Sequence, residues 1–266
     1  MSPPARAARW RLDTMAKLFA PRPGRPWIIG HRGAMGHAPE NTLASFEKAL
    51  ELGADILELD IHLSRDGVPV VIHDATVDRT TDGSGMVAEL TLAELKRLDA
   101  GIRRGEQWRG QRIPTLEEVL AWARGRADLL IEIKHGPGGT PYPRLEEKLV
   151  ELLARYHMTG AVIVQAFDHQ DVKRVKELDH SIATAILSSR PFEDPVAAAR
   201  AVMADLVRPR NEHFNAALVQ ACHAAGLAAG PWGVQEPERL RACIAAGADS
   251  IGTDYPDRLA ALLQEA

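Results

Sequence analysis

Short apolar runs alternate with longer amphipathic stretches along most of the chain. The runs fall at 27–29, 56–61, 68–72, 129–133, 161–164, 182–187, 204–207, 227–229 and 250–251. Between most of them apolar residues return at helical spacing, as over 42–52, 115–124, 143–156, 169–178, 211–224 and 237–246. Such alternation predicts strand–helix units around a parallel sheet. Nine runs are one too many for a closed eight-stranded barrel. One junction resolves the excess. Only Ser64-Arg65-Asp66-Gly67 separates the strand 56–63 from the run 68–72. A four-residue link cannot make the long crossover that parallel strands need, so it must be a hairpin. The run 68–72 is therefore expected as a return strand outside the barrel, carrying His73 back over the mouth. The predicted fold is α/β: a (β/α)8 TIM-type barrel with a small insertion after the second strand.

The length of 266 residues suits this plan, since such a barrel typically needs about 250. Residues 1–26 are expected to form an Ala-, Arg- and Pro-rich N-terminal leader and 27–266 the barrel domain. The stretch 74–114 has no clear strand. It holds the turn-rich Thr80-Thr81-Asp82-Gly83-Ser84-Gly85 and a helix expected at 91–98, opened by the capping-box pattern Thr91-Leu-Ala-Glu. Thr115-Leu-Glu-Glu opens the next helix in the same way. The insertion is placed at about 74–114, on the active-site side.

Composition adds exclusions. A formal charge of −4 offers no basic field for nucleic acid. The leader lacks the apolar core of a secretory signal, and no window approaches the roughly 20 apolar residues of a membrane span. Residues 10–19 carry at most a weak interfacial helix. A cytoplasmic protein without stable membrane insertion is expected, with the oligomeric state open between monomer and homodimer. Cys222 and Cys243 fall in helical stretches and read as packed core thiols.

Catalytic groups of such barrels collect at the C-terminal strand ends. The first strand ends in Gly30-His31-Arg32-Gly33, the second contains Glu58-Leu59-Asp60, the return strand ends in His73-Asp74, and the next strand reads Ile131-Glu132-Ile133-Lys134. Positions i and i+2 share a strand face, so Glu58 and Asp60 point inward together while Leu57, Leu59 and Ile61 face the helices. With Glu132 they make an all-oxygen set suited to a hard divalent cation, Mg²⁺ or Ca²⁺. The competing reading is a structural salt-bridge cluster with Arg32 and Lys134. His31 and His73 are the proton carriers of choice, because an ordinary histidine titrates near neutral pH. Arg32 offers a fork and Lys134 a point charge to phosphate oxygens. The face of His62 stays ambiguous, and it is left out of the site.

Taken together, these motifs resemble the glycerophosphodiester phosphodiesterases. The resemblance runs from residue 28 to about 258. It rests on Gly30-His31-Arg32-Gly33, Ala38-Pro39-Glu40-Asn41-Thr42, Gly53-Ala54-Asp55 with Glu58-Leu59-Asp60, Asp66-Gly67, Val70-Val71-Ile72-His73-Asp74, Arg79-Thr80-Thr81, Pro114-Thr115-Leu116, Glu132-Ile133-Lys134 and Gly252-Thr253-Asp254-Tyr255-Pro256, in order. It implies a divalent cation on Glu58, Asp60 and Glu132, and an acid–base pair in His31 and His73. It puts Arg32 and Lys134 on the phosphate, and Glu40 either orienting His31 or Arg32 or approaching the metal. Asn41 is read as a cap of the first helix. The implied reaction is metal-dependent hydrolysis of a glycerophosphodiester to glycerol 3-phosphate and an alcohol. The alternative is a lysophospholipase D-like activity on lipid-bearing diesters, which needs an apolar channel at the mouth. Two motifs depart from the family pattern and bear on substrate preference. Gln165-Ala166-Phe167 lacks the usual Ser before Phe, and Pro231-Trp232-Gly233-Val234-Gln235 stands where Trp-Thr-Val-Asn is usual. Trp232 remains, placed to pack against the glycerol or a quaternary ammonium group.

Overall fold

The structure is a computed structural model and describes residues 25–265. Residues 1–24 of the expected leader, and with them the weak helix over 10–19, lie outside the described residues. The strands are β1 (Trp27–Gly30), β2 (Ile56–Leu63), β3 (Pro69–Val71), β4 (Asp128–Ile133), β5 (Val162–Ala166), β6 (Ala183–Ser188), β7 (Leu206–Pro209), β8 (Ala228–Ala229) and β9 (Ser250–Thr253). Eight of them run parallel in the order β8-β7-β6-β5-β4-β2-β1-β9. Asp249 N–H donates to Ala229 O at 2.9 Å and Gly252 N–H to Pro231 O at 3.0 Å, drawing the two ends into a nearly closed ring. The hairpin forms as the short Asp-Gly link requires: β3 pairs antiparallel with β2, Ile61 opposite Val71 and Leu63 opposite Pro69.

Strand alternation divides the core in two. Leu57, Leu59, Ile61, Leu129, Ile131 and Val164 face outward and pack with helix residues such as Phe46, Val119, Leu149 and Val172. Ile29, Ile56, Leu130, Ile163, Ala183, Leu206 and Ala228 fill the barrel interior. Full burial of one such aliphatic side chain stabilises the fold by about 1.5–3 kcal/mol. Glu58 and Asp60 follow Ile56 at intervals of two, so the pleat that buries Ile56 in the barrel also points both carboxylates inward.

Three local readings are corrected. Asn41 does not cap the first helix, Leu43–Glu51; the Thr42 side chain does, accepting from Ser45 N. Asn41 instead takes a left-handed backbone with φ of 56°, which its short polar side chain tolerates. The insertion's helix is a single turn, Leu92–Leu95, although the Thr91 capping box forms as its residues require. The stretch read as one helix over 211–224 begins as a separate turn, Asn211–His213, and its α-helix, Ala216–Ala224, starts where the Asn215 side chain caps Leu218 N.

Residues of the insertion build a small cluster of their own, in which Val87, Leu95, Ala100 and Ile113 pack with Val70 and Ile72. Leu90, Leu92 and Leu98 lean on it. Packing therefore accounts for apolar side chains that a lipid channel would otherwise have claimed. Cys222 and Cys243 are free and fully buried. No helix among the described residues is long and apolar enough to cross a membrane.

Candidate active site

The first loop sets the geometry. After Gly30 the chain turns through Arg32 with φ of 51° and Gly33 with φ of 82°. A Cβ on Gly33 would stand 2.4 Å from Ser45 Oγ and 2.6 Å from the Ser45 carbonyl carbon, so only glycine fits there. The turn aims the Arg32 backbone N–H at Glu58 Oε2, 2.7 Å away, and lays His31 and Arg32 over the barrel mouth.

Beneath that loop the three carboxylates meet. Glu58, Asp60 and Glu132 are buried, and one oxygen from each lies within 4.8 Å of the others. Asp60 stands beside Glu132 because the two are register partners on β2 and β4. Asn41 Nδ2 donates to Asp60 Oδ2 at 2.8 Å. Lys134 Nζ bonds Glu132 and stands 3.1 Å from Asp60 Oδ1, while Arg32 Nε stands 3.4 Å from Asp60 Oδ2. The salt-bridge reading is thus partly realised. It leaves Glu58 Oε1 buried without a hydrogen-bond partner among the described residues, a costly arrangement if permanent. Burial and the neighbouring Asp60 push the Glu58 carboxyl up to about 7, and burial raises Glu132 as well. Burial also opposes ionisation of Asp60, but Lys134 and Arg32 outweigh it and hold that carboxyl below its usual range. Oxygen ligands alone, buried and packed this closely, fit a hard divalent cation.

Each candidate histidine has a carboxylate behind it. His31 Nδ1 is 2.7 Å from Asp254 Oδ1, and His73 Nδ1 is 2.7 Å from Asp74 Oδ1. Their environments differ in sign. Burial disfavours the charged His31, yet the Asp254 hydrogen bond and the Glu58 charge prevail and raise its pKa. Burial lowers that of His73, and the Lys134 and Arg32 charges add to the effect. Glu40 accepts from Arg32 Nη1 at 2.8 Å and from Arg79 Nη1 at 2.6 Å. Arg79 Nε in turn donates to Asp74 Oδ2 at 2.7 Å. One chain of charges therefore ties Arg32, through Glu40 and Arg79, to the partner of His73.

His31, Arg32, Glu58, His73, Glu132, Lys134 and Trp232 line one solvent-open cleft of about 600 Å³. Asp60 lies under its lining, and Glu40 stands behind Arg32 in an adjoining cleft with Arg79 and Arg103. Trp232 meets Phe167 edge to face at 5.6 Å on the outer wall. Four contributors escape a reading of the sequence. Asp254 sits in the Gly-Thr-Asp that ends the last strand, where its position as the final polar residue of a strand end is a usable signal. His62 becomes assignable once β2 extends through Leu63, since it shares the face of Asp60. Asn41 reads as a helix cap. Arg208 lies one residue past the apolar run 204–207, yet it alternates inward with Leu206.

The chain matches the model of the glycerophosphoryl diester phosphodiesterase family over residues 31–258. It is 40% identical over 238 residues to a glycerophosphodiester phosphodiesterase of Caldanaerobacter subterraneus subsp. tengcongensis, covering 90% of this chain and 98% of that one. A glycerophosphodiester phosphodiesterase of Bacillus altitudinis is 34% identical over 240 residues, covering 90% and 98% of the two chains. Among solved structures, an Oleispira antarctica phosphodiesterase in complex with the product sn-glycerol 3-phosphate superposes with a TM-score of 0.80 at 28% identity, over 91% of this chain and 97% of that one. A family match over residues 31–258 and 40% identity to a relative covered almost end to end show that the chain belongs to the glycerophosphoryl diester phosphodiesterase family.

Proposed function

We propose that this protein hydrolyses a glycerophosphodiester to glycerol 3-phosphate and an alcohol, using one divalent cation, Mg²⁺ or Ca²⁺, and the pair His31 and His73. The observation that carries the reading is the shared cleft: two carboxylate-backed imidazoles with opposite pKa shifts stand over three buried carboxylates. Glu58, Asp60 and Glu132 would hold the cation. Bound there, it supplies positive charge to offset that of the phosphate and of the pentacoordinate transition state.

The remaining work falls to side chains. Arg32 and Lys134 donate to non-bridging phosphate oxygens, and a preorganised cation of this kind costs no reorganisation as charge develops. The Arg32 guanidinium is held for that task by Glu40. His73, the imidazole whose pKa burial lowers, accepts the proton of the attacking hydroxyl, which belongs either to water or to the neighbouring glycerol carbon. His31, the imidazole whose pKa the Asp254 hydrogen bond raises, gives its proton to the departing alcohol oxygen as the bond to phosphorus breaks. With the glycerol hydroxyl as nucleophile, one water then opens the cyclic phosphate. Either route consumes one water overall. Trp232 and Phe167 offer a rim of aromatic faces to the alcohol group, which choline would fill through its cationic head.

The test is a chelator-stripped protein restored with single metals and given glycerophosphocholine, glycerophosphoethanolamine and glycerophosphoglycerol. Release of glycerol 3-phosphate that returns with Mg²⁺ or Ca²⁺ supports the reading. Undiminished release from the stripped protein contradicts the metal assignment, and no release from any of the three contradicts the activity.

A further inference from the structure

Arg208 is the largest fully buried side chain of the described protein, 1% exposed. It enters from β7, which stands opposite β2 when the eight parallel strands are counted round the ring. It alternates with Leu206 onto the interior face. The barrel makes room for it with small residues: Ala183 and Ala185 on β6, Ala228 on β8, and Gly230 beyond it. A Cβ on Gly230 would come within 2.2 Å of Ser250 Oγ, and one on Gly252 within 3.1 Å of Arg208 Nη2. The guanidinium donates from Nη1 to Ser250 Oγ at 3.1 Å. Unlike Arg32 and Lys134, it makes no ion pair among the described residues. Its Nε has no hydrogen-bond partner among the described residues.

A buried, unpaired guanidinium is expensive unless something completes its hydrogen bonding. Glu58 and Glu132 act on it electrostatically from across the barrel, but a cation bound to those carboxylates would cancel most of that support. The same cleft holds four further buried atoms without a hydrogen-bond partner among the described residues, of which Arg32 Nε and Glu58 Oε1 belong to the charged cluster already described. Gln165 Oε1 is a bare acceptor and Trp232 Nε1 a bare donor. A phosphate oxygen can satisfy donors only. A hydroxyl both accepts and donates, so it is the group that answers an orphan N–H and an orphan carbonyl oxygen together.

We propose that Arg208 is a specificity-determining residue that binds a hydroxyl of the glyceryl part of the substrate, its Nε–H donating to the hydroxyl oxygen while Gln165 Oε1 accepts the hydroxyl proton. The assignment rests on the glycerophosphodiester reading given above. It makes the cleft two-ended. Arg32 and Lys134 take the phosphate, and Arg208 with Gln165 demands a polyol next to it. Sites built to hydrogen-bond a hydroxyl reject analogues lacking it far more strongly than apolar pockets reject an extra group.

The experiment compares kcat/KM for glycerophosphocholine with that for bis(p-nitrophenyl) phosphate, a diester without a glycerol hydroxyl, in the metal-restored wild type and in Arg208→Met, Arg208→Lys and Gln165→Leu. Calorimetric affinities for sn-glycerol 3-phosphate and for inorganic phosphate are measured alongside, and thermal unfolding identifies any variant that fails to fold. Loss of a hydrogen bond to a charged donor reduces discrimination by about ten- to a hundredfold. That drop is expected in the ratio of the two diesters, and in the ratio of glycerol 3-phosphate to phosphate affinity, for Arg208→Met. A smaller drop is expected for Gln165→Leu, and partial recovery for Arg208→Lys. If Arg208→Met does not fold, the other two variants carry the test. Ratios equal to those of the wild type in the folded variants, whether both substrates fall together or neither does, overturn the assignment. A wild type inert toward glycerophosphocholine with every metal sinks the activity itself, whereas an active wild type with preserved ratios sinks only the role of Arg208.

Discussion

His62 Nε2 stands 2.9 Å from the carbonyl oxygen of His73. A carbonyl only accepts, so Nε2 carries the proton, and Nδ1 accepts from the Tyr142 hydroxyl 2.9 Å away. Burial lowers the His62 pKa to about 4, which keeps this neutral form through the neutral range. The bond pins the end of the return strand to β2 and fixes where His73 stands. Replacing His62 with Phe keeps the ring volume and removes both bonds. A misplacement of about 1 Å costs on the order of a hundredfold in rate. The expected result is a fall of kcat by about ten- to a hundredfold, with metal affinity by calorimetry unchanged.

Asp254 controls the charge of His31. With the raised folded pKa, His31 contributes stability at pH values below its unfolded pKa, and that contribution is lost as pH rises through the folded value. Asp254→Asn removes the partner's charge, so the imidazole should lose its proton at lower pH. The expected outcome is a downward shift of the His31 titration followed by NMR, with the alkaline limb of kcat/KM moving the same way.

Glu58 couples the site to pH. Its carboxyl, raised to about 7, must lose a proton to ligate a cation. Apparent metal affinity should fall by about tenfold for each pH unit below that value, because one proton competes with the ion, and should level off above it. The sign of the stability effect follows. In metal-free protein the raised Glu58 favours the fold at low pH, and that contribution is lost as pH rises through about 7. Added Mg²⁺ or Ca²⁺ should therefore raise the Tm more at pH 8 than at pH 5.5. Glu58→Gln should shrink that difference, leaving the part due to the raised Glu132.

Gly33 tests the loop. Its φ of 82° and the 2.4 Å approach to Ser45 leave no place for a methyl group. Gly33→Ala should destabilise the protein by about 1–3 kcal/mol, the usual cost of a side chain forced into strained backbone. Because the same turn aims the Arg32 N–H at Glu58, activity should fall further than the Tm shift explains. Chemical denaturation and kcat measured on the same preparation separate the two effects.

Much of this site is legible in the residue order because strands obey a period of two. The spacing of Glu58 and Asp60, and of Ile131, Glu132 and Ile133, dictates which side chains share the interior, and the four-residue Asp-Gly link forces the hairpin that delivers His73. The less legible parts depend on contacts distant in sequence. Asp254 reaches His31 across 223 positions, and no local pattern records that pairing. Asn41 looks like a cap because Asn favours such positions, but Thr42 takes the cap and frees Asn41 for Asp60. Arg208 looks like surface because arginine seldom lies buried. Only the ring of small residues around it, drawn from β6, β8 and β9, explains how a guanidinium fits inside the barrel.

The most direct measurement is anomalous diffraction from crystals grown with Mn²⁺ and sn-glycerol 3-phosphate. The account predicts one manganese peak bounded by carboxylate oxygens of Glu58, Asp60 and Glu132, with a phosphate beside Arg32 and Lys134 and within reach of both His31 and His73. A fully occupied phosphate with no manganese peak among those three carboxylates, or a phosphate held away from the two imidazoles, would contradict it.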